Sequence, residues 1–571
     1  MSRLRFLPMF VFLCAAVFVS ALSAQDIVRS KKLIQLGWDI PNTAYLKQHH
    51  GEMQRSSPFD GVMLALDVTA PDGKRYSSQT MMTAQPWDSA WFATAIEDLK
   101  ACRWTTFTDN FIRVNFTPGE IDWNNDKGWE IFCSKTAICA QIAKEAGLKG
   151  LSIDFEPYGK AIFMYSSDSG LSFSEMKQIV RKRGRQWMEA IASKYPDMVL
   201  FTLFIGQVNM SAGLDFQPDS ILKQRHYGLL PAFFDGMLDA IPPKMSVVDG
   251  CEDGYVLNGT DEFNRLALAI QSIGGPAIRL VSPENREKYI RQVRVGFGFY
   301  LDMYTNPEGV HYYRGPREGG TRLDRLEENL SAAVAATDEY VWIYGEHRHW
   351  WKPNVPNEKA QHWEEAMPGM VQALRFTKNP RDAAKQKLET LRKENRVVNL
   401  LKNPEFAESK IVKKQIDDKE VEVLLPANWS TWQDKPLGTF SWDGETNGGS
   451  AKATGVKWGC YMQSFNPVKP SEYYYVAIDA RQQGTGQIKM GIRWNNAKGE
   501  WTRESEDRIF SFEKDLPLID NRPLPDGWMR AEGIVRIPEG VAVLQVQAGI
   551  RDQTTADDAA WFDNAALIRL R

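Results

Sequence analysis

Gly150-Leu151-Ser152-Ile153-Asp154-Phe155-Glu156-Pro157-Tyr158 is the stretch on which the fold turns. Side chains alternate along a strand, so Ser152, Asp154 and Glu156 share one face. Ile153 and Phe155 share the other, where they can pack beneath helices. Pro157 has no N–H to give to a ladder, so the strand stops there and leaves Glu156 at its rim. Two carboxylates two residues apart lie roughly 6–7 Å from each other at Cα. Repulsion and partial burial are expected to raise one of their pKa values, giving a carboxylic acid near neutral pH.

Similar apolar runs closing on a polar or acidic residue recur along the chain. They are Leu33–Asp39, Gly61–Asp67, Thr105–Val114, Leu148–Glu156, Val199–Gly206, Ser246–Asp249, Val295–Asp302 and Tyr340–Glu346. Amphipathic stretches separate most of them: Trp129–Ala146, Phe173–Lys194, Asp261–Ile273 and Arg322–Ala336. Gly147 stands where a helix C-cap glycine belongs, just before the fourth run. This alternation predicts an α/β barrel of the TIM type, (β/α)8, over residues 30–376, with its chemistry at the C-terminal ends of the strands. A doubly wound open sheet is the alternative, but no glycine-rich dinucleotide fingerprint follows the first strand.

The strand ends are then read one by one. Trp342, Tyr344 and Glu346 share a face of the eighth run, which continues into His347, Arg348, His349, Trp350 and Trp351. The seventh ends in Tyr300-Leu301-Asp302, and the sixth leads from Asp249 to Glu252 and Tyr255. The first ends in Trp38-Asp39 and the second in Asp67. Sugar rings stack their CH faces on Trp and Tyr and bond their hydroxyls to carboxylates, so a mouth of this make-up suits carbohydrate. The candidate catalytic residues are Glu156, Glu346, Asp154 and Asp302. The candidate substrate contacts are Trp38, Asp39, Tyr158, Asp249, Glu252, Tyr300, Trp342, Tyr344, His347 and Trp350. Acids at strand ends also serve as helix caps and loop-ordering groups, a reading that applies most to Asp39, Asp67 and Asp249. The seven histidines are scattered without a helical HExxH, and no GxSxG elbow occurs.

The run Gly150–Glu156 resembles the fourth-strand signature of barrel glycoside hydrolases, nearest to the DxxDxDxE pattern of chitinase-like enzymes. The resemblance implies Glu156 as general acid and Asp154 as the partner that orients a substrate acetamido group. Ser152 stands where that family has a further Asp. A second model is the two-carboxylate mechanism, with Glu156 as acid/base and Glu346, or else Asp302, as nucleophile. Retention there goes with carboxyls about 5–5.5 Å apart and inversion with about 6.5–9.5 Å.

Asn379–Arg396 is charged and helix-favouring, and segment 377–396 reads as a solvated helical linker. Residues 397–571 then change to short alternating strands with Gly, Asn, Asp and Pro turns, an all-β sandwich pattern. The opening Asn399–Phe406, the Pro426-Ala427-Asn428-Trp429 that follows and the closing Trp561–Leu567 resemble a jelly-roll carbohydrate-binding module of the cellulose- and xylan-binding group. That resemblance implies a structural calcium held by Glu405 and Asp563, while catalysis needs no cofactor. Of the 19 tryptophans, eight fall here. Trp432, Trp458 and Trp494 are the candidates for a sugar-stacking face, and Trp528 and Trp561 for core.

Composition sets the outer bounds. The chain has 571 residues, 43% apolar, 25% charged and 11% aromatic, with a formal net charge of −3 and no basic stripe. Disorder and a phosphate-neutralising nucleic-acid surface are therefore excluded as first readings. Arg3 and Arg5, the apolar run Phe6–Val19 and the small residues before Gln25 form the layout of a secretory signal peptide over residues 1–24. Cys102, Cys133, Cys139, Cys251 and Cys460 remain beyond it, with no CxxC pair, so at most one or two disulfides are expected. Together these features predict a monomeric, secreted or periplasmic glycoside hydrolase acting on a polysaccharide or oligosaccharide. No nucleic-acid partner, and no membrane partner once the signal is cleaved, are expected. A non-catalytic polysaccharide-binding protein and a metal-dependent glycan hydrolase or lyase are the alternatives.

Overall fold

The computed structural model describes residues 30–318, 320–352, 361–416, 419–435, 438–470, 472–502, 509–511, 519–538 and 540–571. The signal peptide expected at residues 1–24 lies outside them. Lys31–Arg571 form one compact unit.

Nine parallel strands make the first sheet: β1 Lys32–Gly37, β2 Gly61–Leu64, β3 Phe111–Asn115, β4 Gly150–Asp154, β5 Val199–Thr202, β6 Ser246–Asp249, β7 Val293–Val295, β8 Phe297–Tyr300 and β9 Tyr340–Gly345. Their order is β8-β9-β1-β2-β3-β4-β5-β6-β7. The first and last of these are separated in the chain by Gly296 alone, so the sheet curls almost onto itself. Rings show the same curl. Phe111 of β3, Phe201 of β5 and Tyr340 of β9 meet pairwise at 5.4–5.9 Å, which a flat sheet forbids.

Two expected strands moved. The third begins at Phe111 rather than Thr105, and Asp67 opens a small antiparallel hairpin, Asp67–Thr69 with Arg75–Ser77, rather than closing β2. In β4 every residue is buried, because helices cover one face and the opposite strands the other. Phe155 beyond it packs against Phe116 at 4.9 Å and Phe163 at 5.6 Å. The helix Asp126–Glu145 leads into this strand through Gly147, whose φ of 68° puts it in the left-handed region. Gly150 is needed for a different reason, since a Cβ there would stand 2.0 Å from the Val199 carbonyl oxygen. Helix Phe173–Ala192 starts with a Ser172–Glu175 capping box, and Arg322–Ala336 with a Thr321–Asp324 one.

Beyond the parallel sheet, the helix Pro380–Lys393 is charged as expected but not solvated all round. It buries Ala383, Ala384, Leu388 and Leu391 against Tyr473, Tyr475, Ala477, Ile568 and Leu570. The helix therefore packs against one C-terminal sheet, the one that holds strands Tyr473–Gln483 and Ala559–Arg569, instead of standing in water.

The C-terminal region holds two antiparallel sheets. The five-stranded one runs Ser430–Gln433, Trp458–Phe465, Val543–Arg551, Gln487–Asn495, Ile509–Ser511. The six-stranded one runs Thr439–Asp443, Ser450–Thr454, Ala559–Arg569, Tyr473–Gln483, Met529–Arg536, Ile519–Pro523. Between them lie Trp429, Tyr461, Tyr474, Trp494 and Phe562. Cys102, Cys133, Cys139, Cys251 and Cys460 are all free and buried. Among the described residues no helix is long and apolar enough to cross a membrane.

Candidate functional site

Depth along each strand decides what its inward side chains can do. On β9, Tyr340 lies in the ring cluster low in the sheet, Trp342 above it, Tyr344 higher and Glu346 just past the end. Trp342 is only 1% exposed, and its indole donates to the Gly250 carbonyl at 2.7 Å. It is core, not a sugar platform. Tyr344 is half-buried, stacks parallel to Tyr255 at 5.8 Å and lies 5.6 Å from Tyr300.

The acids at the strand ends divide into two kinds. Three are anchors for backbone. Asp249 accepts from the amides of Ile205 at 3.2 Å and of Gly206 and Gln207 at 3.0 Å. Asp302 accepts from the amides of Glu346 at 2.7 Å and His347 at 3.3 Å and from Arg348 at 3.2 Å. Asp39 accepts from the Trp350 amide at 2.7 Å and from Gln35 at 2.6 Å. All three are buried, so the expected catalytic role of Asp302 and substrate contacts of Asp39 and Asp249 give way to loop ordering. Burial pushes Asp39 up to about 7 and Asp249 up to about 6, against the amides that hold them down. Trp350 is likewise buried, edge-on to Phe59 at 4.9 Å.

The second kind faces the mouth. Glu156 is half-buried beyond β4 and accepts a hydrogen bond from the Tyr158 hydroxyl. Glu346 accepts from Tyr300 and Tyr344, each at 3.0 Å, with His347 exposed beside it at 4.0 Å. Glu252 lies on the short helical turn Glu252–Val256 after β6. These acids converge. Burial first, and then the charges of Glu252, Asp253, Glu346 and Glu156, all raise the Tyr312 hydroxyl. Tyr227 is raised by burial and then by Glu156, Glu252 and Asp154. Trp38 and Tyr158 stand exposed at the rim, the Trp38 indole donating to the Tyr344 hydroxyl at 3.2 Å.

Asp154 does not face the mouth as a free carboxylate. It is 1% exposed and accepts from Arg113 at 2.6 Å, Asn115 at 3.3 Å and the Glu156 amide at 2.9 Å. A side chain so occupied fixes the direction of Glu156 rather than orienting an acetamido group. Two carboxyls on the turn after β6 are raised, Asp253 by burial and Glu252 further. Burial, then the charges of Asp154, Glu156 and Asp253, push Glu252 up to about 8. It therefore holds its proton at neutral pH.

Arg113 was marked by no motif, although its signal was present. An arginine in the middle of Phe-Ile-Arg-Val-Asn requires a buried partner, and the register places Asn115 beside Asp154. Tyr227 and Tyr312 lie on connections with no sequence mark of their own.

A second surface lies on the outer face of the five-stranded sheet. Trp432 and Trp458 meet edge-to-face at 5.4 Å and line a groove with Trp501. Trp494, expected to join them, is fully buried. The alternation of Met490, Ile492 and Trp494 against Lys489, Gly491 and Arg493 places the first set inward. Trp501 takes the outer position instead, past a turn at Gly499.

Of the residues expected to hold calcium, Asp563 is 3% exposed and Glu405 is exposed. Burial, then the charges of Asp479 and Glu405, raise Asp563 to about 6. Asp479 is already paired with Arg530 through two hydrogen bonds. Among the described residues no group of three or more His, Cys, Asp or Glu side chains is placed to hold a metal ion.

No family model matches the chain, and no curated protein does. Its structural neighbours are mostly carbohydrate-binding modules. One is described as "CBM4 structure and function", 16% identical over 30% of this chain and 99% of its own, with a TM-score of 0.20. The CBM22-1 xylan-binding domain from Paenibacillus barcinonensis is 12% identical over 26% of this chain and 88% of its own, at 0.19. The enzymatically active domain of bacteriophage CBA120 tailspike protein 4 is 13% identical over 25% of this chain, at 0.20, and the match spans only 19% of that protein. At TM-scores this low no property passes from these proteins to this chain.

Proposed function

We propose that the chain is a secreted or periplasmic glycoside hydrolase that also binds carbohydrate on its C-terminal sheets. The carrying observation is that Glu156, Glu252 and Glu346 stand at the strand ends around Tyr312, with Glu252 pushed up to about 8. Cleaving a glycosidic bond takes one protonated carboxyl for the leaving oxygen and one carboxylate for the sugar or the attacking water. Glu252 is the proton donor in this reading, a role the sequence had assigned to Glu156. Glu156 and Glu346 take the carboxylate roles in this reading, and they accept hydrogen bonds from the hydroxyls of Tyr158 and of Tyr300 and Tyr344. Trp38 and Tyr158, exposed at the same rim, supply stacking faces for the substrate rings. In fold terms we read the nine strands as eight barrel stations with the seventh interrupted at Gly296, and the two C-terminal sheets as a jelly roll.

The test is release of reducing ends from a panel of polysaccharides by the purified protein and by Glu252→Gln, Glu156→Gln and Glu346→Gln. Loss of a general acid costs about 10²–10⁴-fold in turnover, so Glu252→Gln is expected to fall in that range while still binding the substrate. Wild-type turnover in all three variants refutes the site, and binding without turnover in the wild type favours a non-catalytic role. Loss of turnover on adding a chelator, with the variants unaffected, favours the metal-dependent alternative.

A further inference from the structure

The groove on the five-stranded sheet carries information beyond its tryptophans. It encloses about 270 Å³ and is lined by Trp432, Trp458, Trp501, Lys489, Arg493 and Arg551, with Gln545 and Gln547. Gly491 and Gly549 also line it, on adjacent strands, so part of its floor is bare backbone between ring and guanidinium walls. Trp432, Trp458 and Trp501 are 43%, 41% and 54% exposed, a large apolar commitment for rings on a sheet facing solvent.

The charges of this groove are one-sided. Among the described residues that line it, three are cations and none is a carboxylate. Among the described residues none of the three forms an ion pair. Two are instead fixed on rings, Arg551 over Trp458 at 5.0 Å and Arg493 over Trp501 at 5.3 Å. A guanidinium seated on an indole loses little further freedom when it binds, and its planar fork matches a carboxylate or sulfate. A neutral glycan needs hydrogen-bond donors but no net charge, whereas three cations side by side repel one another and are relieved by an anion.

Resting on the reading that this face stacks sugar rings, we propose that the groove selects an anionic glycan. The rings of Trp432, Trp458 and Trp501 take the sugar faces, and Lys489, Arg493 and Arg551 take carboxylate or sulfate groups along the chain. The mouth of the parallel sheet, where Glu156, Glu252 and Glu346 gather, has the opposite charge. The two surfaces thus suit different parts of one polymer: neutral rings at the acids, and acidic substituents held at the groove.

Calorimetry with the full chain tests this, using trigalacturonate, dextran sulfate oligomers and galactotriose as probes. Binding of one anionic probe at least about tenfold tighter than galactotriose in low salt, with the gap closing as ionic strength passes about 0.5 M, is the expected result. Preference for trigalacturonate assigns the anion as carboxylate, and preference for dextran sulfate as sulfate. The double variant Arg493→Gln/Arg551→Gln should bring the anionic probe to the galactotriose level with the melting temperature unchanged. Arg551→Lys, which keeps the charge but loses the planar fork, should recover part of it. Trp432→Ala should weaken anionic and neutral probes together, which bulk attraction of a polyanion would not show. Equal, salt-independent binding of all probes overturns the charge selection and leaves sugar stacking intact. No binding of any probe overturns both.

Discussion

Replacing Glu252 by Gln isolates the electrostatics of the acid cluster from its chemistry. The folded protein holds this carboxyl at about 8 rather than its ordinary 4.5, first through burial and then through the charges of Asp154, Glu156 and Asp253. A displacement of that size corresponds to an ionised form costing the fold on the order of 5 kcal/mol, and solvent at the half-buried rim screens this to ~2–3 kcal/mol. Below pH 4.5 Glu252 is neutral in both the folded and the unfolded chain, so wild type and Glu252→Gln differ little. Between pH 4.5 and about 8 the unfolded chain gives up the proton while the folded one keeps it, and the wild type loses stability that the variant retains. Above pH 8 the difference levels off. With an unfolding entropy of about 2 cal/mol/K per residue over about 350 residues, ~2–3 kcal/mol reads as roughly 3–4 °C in melting temperature. The assay is thermal unfolding of both proteins at pH 5, 7 and 9, taking the difference at each pH so that all other titrating groups cancel. The variant should gain on the wild type by a few degrees from pH 5 to pH 9. A difference that stays flat across that range, or that favours the wild type at pH 9, would falsify the assignment of Glu252 as the proton-holding acid.

Other outcomes follow from the same contacts. Arg113→Met leaves Asp154 buried without its cation and should destabilise by about 3–5 kcal/mol in denaturant unfolding, whereas Arg113→Met/Asp154→Leu should recover much of that loss. Asp302→Ala removes the acceptor for the Glu346 and His347 amides. It is expected to cost about 1–3 kcal/mol for each donor left buried, and to lower turnover by displacing Glu346. Trp494→Ala opens the sandwich core and should cost about 3–5 kcal/mol in stability with little direct effect on the groove. Trp432→Ala should do the reverse, weakening glycan affinity while the melting temperature holds. Equal effects of the two tryptophans in either assay would contradict the inward and outward placement read from strand parity.

Much of this fold is legible in local patterns. Strand and helix periods come from local geometry, so the alternation of apolar runs with amphipathic stretches located Ser246–Asp249 and Arg322–Ala336 to the residue and β4 to within two residues at each end. It also gave the change to an all-β pattern after the charged helix. Parity was legible where it was followed: Ile153 and Phe155 pack under helices because neighbours alternate, and the same count would have sent Trp494 inward. What sequence could not supply was depth. Trp342 and Glu346 share a face of one strand, yet four residues of rise separate a buried ring at the Gly250 carbonyl from a carboxylate at the mouth. The sequence marked Asp39 and Asp249 as acids apt to order loops, yet it could not do the same for Asp302. Asp249 and Asp302 end their strands as Glu156 does, but loops from other parts of the chain bring amides onto them and consume their oxygens. The proton on Glu252 is the clearest case. Its local sequence, Cys251-Glu252-Asp253, holds nothing unusual. Its pKa is set by burial and by Asp154 and Glu156, about a hundred residues away in the chain, so only the closing of the sheet could decide it.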